Sequence, residues 1–177
     1  MSWSSAPLAR RSLLALAALS LASCGFRPLY APRGPHDWDP ALAAISVAPI
    51  RDRPGQILEL ALRENLNPAG LSVPTRWRLL TQLHVSRADL GIQRNATATS
   101  SEITVSASYS LVDAKSGRTV YANSSRAISD FNQITDAYAT QVAADDARDR
   151  ALHEVAQDMS VRMAVFVSQQ RIKPAAR

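Results

Sequence analysis

One cysteine and three histidines are the side chains of this 177-residue chain best suited to nucleophilic, metal or acid–base chemistry. Cys24 has no second cysteine, so neither a disulfide nor a paired-cysteine metal or redox motif is available. His36, His84 and His153 fall in a Pro-rich stretch, an alternating stretch and a helical stretch, with no partner at metal-ligand spacing. His153-Glu154 opens like the zinc motif HExxH but lacks its second histidine. There is no Gly-rich phosphate loop and no Gly-x-Ser-x-Gly elbow. Asp145, Asp146 and Asp149 cluster at the start of a long helical segment. The helix dipole and the neighbouring Arg148 and Arg150 account for them better than calcium does. The residues point to a non-enzyme with no metal and no cofactor.

The surroundings of Cys24 give the thiol a different use. Arg10 and Arg11 are followed by Leu13–Leu21, which is Leu and Ala apart from Ser20. A positive patch, a short apolar core and a small-residue junction are the layout of an export signal. The core is well short of the roughly 20 residues that a membrane-crossing helix needs. Leu21-Ala22-Ser23-Cys24 resembles the bacterial lipobox, in which the cysteine becomes the new N-terminus and carries diacylglycerol plus an N-acyl chain, palmitate for example. Two or three acyl chains, each contributing about 0.8 kcal/mol per buried CH₂, hold a protein stably on a membrane. Gly25 follows the cysteine where Asp would favour inner-membrane retention, so the expected location is the periplasmic face of the outer membrane. Arg10-Arg11 has no Phe-Leu-Lys context, which argues against twin-arginine export.

Removal of residues 1–23 leaves a mature chain of about 150 residues, one domain's worth. The whole chain carries a formal net charge of +5, of which Arg10 and Arg11 supply two with no acid in the signal. The mature protein is therefore only mildly basic. Its lysines are Lys115 and Lys173, so almost all of the positive charge is arginine. Arginine forks suit bidentate contact with phosphate or carboxylate. No nucleic-acid-binding motif accompanies them, and no nucleic-acid partner is expected.

Residues 24–40 contain Pro28, Pro32, Pro35 and Pro40 and read as an extended lipidated tether. Ala43–Ile50 reads as a strand ended by Pro49. After the turn "RDRPG", Ile57, Leu58, Ala61, Leu62 and Leu66 recur at helical spacing, with Glu59, Arg63 and Glu64 outward and Pro68 and Gly70 as stops. Trp77, Leu79, Leu83 and Val85 alternate with Arg78, Gln82, His84 and Ser86. Ile103, Val105, Ala107, Tyr109 and Leu111 alternate with Thr104, Ser106, Ser108 and Ser110. The turn "DAKSGRT" joins this strand to "TVYANSSRAISDF" as a hairpin, and polar 91–101 connects it to the strand before, either as a loop or partly as strand itself. From Asp136 to Gln170 there is neither Gly nor Pro. Leu152, Val155, Met159, Met163 and Phe166 mark a core stripe, with Asp146/Arg150 and Asp158/Arg162 as outer charge pairs. The expected fold is α+β in the order β-α-β-β-β-α. A four-stranded, largely antiparallel sheet carries two helices on one face, in a single domain at 41–171 with a disordered tail at 172–177. The Thr/Ser/Arg face is left to water or a partner.

These residues resemble a family. "CGFRPLY" after a lipobox is similar to the alphaproteobacterial branch of the lipopolysaccharide-assembly lipoproteins, LptE. "SLVDAKSGRTVYANSSRAISDFNQ" followed by "RALHEVAQDMSVRM" is similar to that family's last hairpin and C-terminal helix. The resemblance implies a plug inside the outer-membrane barrel LptD that assists barrel assembly and delivers lipopolysaccharide to the outer leaflet. It implies lipopolysaccharide and LptD as partners, with outer-membrane lipid reached through the anchor. It also places Arg94, in "GIQRNATAT", at the family's arginine contact to lipopolysaccharide. The family's second basic contact has no counterpart, because "ITDAYATQVAADD" contains neither Lys nor Arg. Two other readings stay open. One is an accessory lipoprotein of a different envelope lipid-transport system, and the other is an envelope enzyme whose site is scattered in sequence.

Overall fold

Strict alternation decides the centre of the molecule. Ile103, Val105, Ala107, Tyr109 and Leu111 are all buried, and the serines and threonine between them stay open to solvent in part or in full. The computed structural model describes residues 40–92 and 98–172. The signal segment 1–23, Cys24 and the rest of the tether to residue 39, Arg94, and the tail from 173 lie outside the described residues.

In chain order the elements are α1 (Pro40–Ala43), β1 (Ile45–Val47), α2 (Asp52–Leu66), β2 (Trp77–Ile92), β3 (Ala98–Asp113), β4 (Thr119–Asn132) and α3 (Ala137–Ile172). The strands form one sheet in the order β1-β2-β3-β4. β2, β3 and β4 make an antiparallel meander, with Leu79 opposite Leu111, Val85 opposite Val105, and Val105 opposite Ala127. β1 is parallel to β2, Ile45 lying opposite Trp77, because α2 carries the chain back before β2 begins. The expected architecture is therefore the observed one, with a mixed sheet and one extra short helix. Pro40, expected in the tether, opens that helix, at the first-turn position where its missing N–H costs nothing. Its following strand is shorter than Ala43–Ile50, although Ala48 still donates to the Leu79 carbonyl at 2.9 Å.

α2 starts earlier than its apolar spacing predicts. "RDRPG" is its first turn, where Pro54 again gives up no hydrogen bond. Gly55 is required there, since a Cβ would sit 2.7 Å from Ile50 Cγ2. Glu59 is not on a wet face. It accepts a hydrogen bond from the Ile50 N–H at 3.1 Å while pairing with Arg63 at 2.6 Å. The β3–β4 turn is drawn tight by Asp113, whose Oδ1 accepts from the N–H groups of Lys115 and Ser116, with Gly117 at a φ of 68°.

α3 is capped by Asp136, whose Oδ1 accepts from the Tyr138 and Ala139 N–H groups at 2.8 and 3.2 Å. The Asp145/Asp146/Asp149 cluster consequently lies more than two turns inside the helix, too far to complement its dipole. Leu152, Val155, Met159, Met163 and Phe166 are buried against the sheet and α2, as their spacing requires. Phe166 meets Trp77 edge-on at 6.3 Å and Tyr121 at 4.9 Å between ring centroids. Of the two charge pairs expected outside, Asp158–Arg162 forms at 2.8 Å. Asp146–Arg150 does not, and Arg148 pairs with Asp145 at 2.7 Å instead.

Candidate functional site

Helices cover one face of the meander, so its even-numbered side chains project to the other. Cross-strand register arranges these in rows. Gln82 stands beside Ser108 and Ser124, His84 beside Ser106 and Arg126, and Ser86 beside Thr104 and Ile128. Ala88, Glu102 and Asp130 make the next row. The surface is rich in hydroxyls that donate and accept hydrogen bonds, broken by charges and by exposed Leu80 and Ile128. A shallow cleft of about 550 Å³ opens where β1 ends, lined by Ala48, Pro49, Leu80, Gln82, Ser108 and Ala122 among others.

Nothing on this face assembles a reacting centre. His84 and Ser106 are cross-strand neighbours, but no hydrogen bond joins them and no carboxylate orients the imidazole. His153 lies on the outer side of α3 near Asp149 and Glu154, and no group of three or more metal-ligating side chains occurs among the described residues. No helix among the described residues is long and apolar enough to cross a membrane.

Two polar clusters belong to the helix-covered side. The first lies at the end of the sheet where β2 stops and β3 starts. Ser101, fully buried, donates to Asp89 at 2.6 Å, and Gln133 donates to Ser101 at 2.6 Å and to Asp89 at 3.0 Å. Arg87 lies 3.4 Å from Asp89 and 4.9 Å from the centre of the Phe131 ring. The Ser101 hydrogen bond and the Arg87 charge hold the Asp89 carboxyl below its usual range. This cluster was missed in the sequence, yet a signal was present. Past Val85 the core-facing positions of β2 become Arg87 and Asp89, and Ser101 occupies a core position of β3.

The second cluster ties β4 to α3. Ser125 donates to Asp158 at 2.6 Å, and Asp158 also accepts from Arg162 at 2.8 Å. Burial works to raise the Asp158 pKa, but the hydrogen bonds from Arg162 and Ser125 and the Arg162 charge outweigh it, and the net shift is downward. Tyr109 lies in the core beside this pair, where burial pushes its pKa up to about 12.

A meander with helices on one side and a bare hydroxyl-rich face on the other is the fold of a group of bacterial lipoproteins. The chain superposes on a putative lipoprotein from Caulobacter crescentus with a TM-score of 0.62 at 24% identity, covering 77% of this chain and 97% of that one. It matches the rare lipoprotein B from Shewanella oneidensis with a TM-score of 0.58 at 12% identity, covering 72% and 96%. A minor lipoprotein from Acinetobacter baumannii gives a TM-score of 0.54 at 12% identity, over 69% and 89%. Residues 42–164 match the family model LptE, described as lipopolysaccharide-assembly, and the chain belongs to that family. No curated protein matches the chain. LptE is a non-enzymatic lipoprotein family of the Gram-negative envelope, and the resemblance to it is borne out at the level of the family, over a stretch that includes the last hairpin.

Proposed function

We propose that this chain is exported, lipidated at Cys24 and held at the periplasmic face of the outer membrane. There its domain, residues 41–171, plugs the lumen of the LptD barrel, assists the barrel's assembly and helps pass lipopolysaccharide to the outer leaflet. The 24–40 segment tethers the domain to its anchor. Arg94, between β2 and β3 in sequence, grips a lipid A phosphate through its guanidinium fork. The protein works by binding, without a cofactor and without turnover of its own.

The observation that carries this reading is the bare sheet face of a chain in the lipopolysaccharide-assembly family. An antiparallel sheet with one open face can leave it to water, and in a member of this family that face is the surface open to a partner. A barrel lumen is polar and wet, and such a plane satisfies it with hydrogen bonds instead of apolar contact. Asp89, Ser101 and Gln133 hold together the strand ends on either side of Arg94 in sequence.

A mild-detergent pull-down on the tagged mature protein, with partners identified by mass, tests the reading. A large outer-membrane barrel should co-purify, and an inner-membrane ATPase complex in its place would overturn it. In the same cells labelled palmitate should enter the wild type and not Cys24→Ser, which should accumulate as unprocessed precursor.

A further inference from the structure

We infer that the free edge of β4 pairs with the same edge of a second copy of this chain, antiparallel about a two-fold axis through Ile128. β4 is the last strand of the sheet, so one side of it has no strand neighbour. Natural edges are usually blunted by Pro, Lys, bulges or repelling charges. β4 contains no Pro, Lys or Gly, and the register irregularity at Leu111/Val112 lies toward its other end. From Ser124 to Asn132 the edge is regular. The Asp130 carbonyl is met by the exposed Arg150 guanidinium at 3.4 Å, a long contact that a main-chain N–H can replace.

The charges on this edge are self-complementary. A two-fold at Ile128 sets Arg126 opposite Asp130 of the second copy, and Asp130 opposite its Arg126. Ser124 then meets Asn132, and Ile128, 47% exposed, meets its own copy. Within one sheet these charges are poorly served. Asp130 stands directly opposite Glu102, a like-charge cross-strand pair that is unfavourable. Arg126 stands opposite Ser106 and, among the described residues, takes part in no ion pair. The pairing brings each copy's Arg126 beside the other copy's Asp130.

The other open edge, β2 beyond Leu79, lacks this feature. Its Arg87 and Asp89 already engage each other, Ser101 and Gln133. The inference concerns the chain free of other proteins and does not rest on the function proposed above.

Native mass spectrometry of the full chain released from a neutral detergent micelle tests it. The wild type should be dimeric at about 10 µM, and Arg126→Asp or Asp130→Arg alone should weaken the dimer by about tenfold or more. The double variant, Arg126→Asp with Asp130→Arg, should restore it, because the swapped charges meet again across the axis. Far-UV circular dichroism on each sample separates lost pairing from lost fold. A monomeric wild type, a dimer unmoved by either single change, or a double variant no tighter than the singles would overturn the inference.

Discussion

The two faces of the meander come from the same three strands and the same ladder, yet they answer to different demands. On the covered face Leu79, Val105 and Leu111 lose all contact with water and meet Leu152, Met159 and Met163 from α3. On the bare face their chain neighbours Leu80, Ser106 and Ser110 stay exposed or only half-buried. Free energy of folding therefore resides on one side of a layer only one residue thick. The other side can be rewritten for binding at almost no cost in stability. That separation suits a protein whose task is to present a surface.

The strongest way to break this comparison is to cut into the covered face. Leu111→Ala and Ile103→Ala should each destabilise by about 2–5 kcal/mol, through lost transfer energy and the cavity left behind. Thermal or urea melts read this directly, and a near-neutral outcome would mean that the faces are assigned the wrong way round. Next in size is a change felt in binding and hardly in folding. Arg94→Ala should weaken lipopolysaccharide binding by roughly 1.5–3 kcal/mol, the worth of a charge-assisted hydrogen bond. Its melting temperature should stay within about one or two degrees of wild type. Arg94→Lys should recover part of the affinity, since a point charge replaces a fork. Titration against purified lipopolysaccharide at low salt checks all three, and unchanged binding by the alanine variant would return Arg94 to an ordinary surface residue.

A subtler test concerns the strut between β4 and α3. The folded-state pKa of Asp158 is depressed, so its contribution is present above the unfolded carboxylate value and is lost as pH falls through the folded one. Asp158→Asn should thus narrow the stability gap between neutral and acid pH. The effect should stay below about 1 kcal/mol, because the carboxylate remains 39% exposed and solvent screens it. Melts of both proteins from neutral pH down to about pH 3 would show it, and parallel curves would remove Asp158 from the account. Smallest of all, Ser106→Ala on the bare face should change stability by no more than about 0.5 kcal/mol.

Much of this design is legible along the chain, and the reason is periodicity. The period of two in β3 and the 3-4 spacing in α2 and α3 report which side chains share a face, and burial follows from that. What periodicity cannot report is contact between segments far apart. Asp158 reads as an outer charge pairing with Arg162, but Ser125 on β4 draws it toward the sheet. Glu59 reads as wet until Ile50 folds back over it. "RDRPG" has a turn's composition, and only the packing of Gly55 on Ile50 makes it the start of a helix. The parallel sense of β1 follows from the α2 return, which spacing within one strand does not reveal. At the candidate site the bare face was readable as Ser and Thr in alternation. The Asp89–Ser101–Gln133 cluster was not, because its members converge from three separate strand ends.

The parallel docking of β1 has a consequence for the order in which the protein matures. The meander is made from chain neighbours joined by turns, so its loops close early and at small entropic cost. β1 precedes it in the chain, yet its partner Trp77 lies on the far side of α2, and nothing can hold Ile45–Val47 in place until β2 has formed. Three residues of ladder then serve as the last latch to shut and the first to open. Amide exchange should be fastest in that latch and slowest in β3. β1, the first strand in the chain, is thus the most readily loosened part of the sheet. If the chain is anchored at Cys24 as proposed, a pull from the membrane would reach β1 before it reached the core.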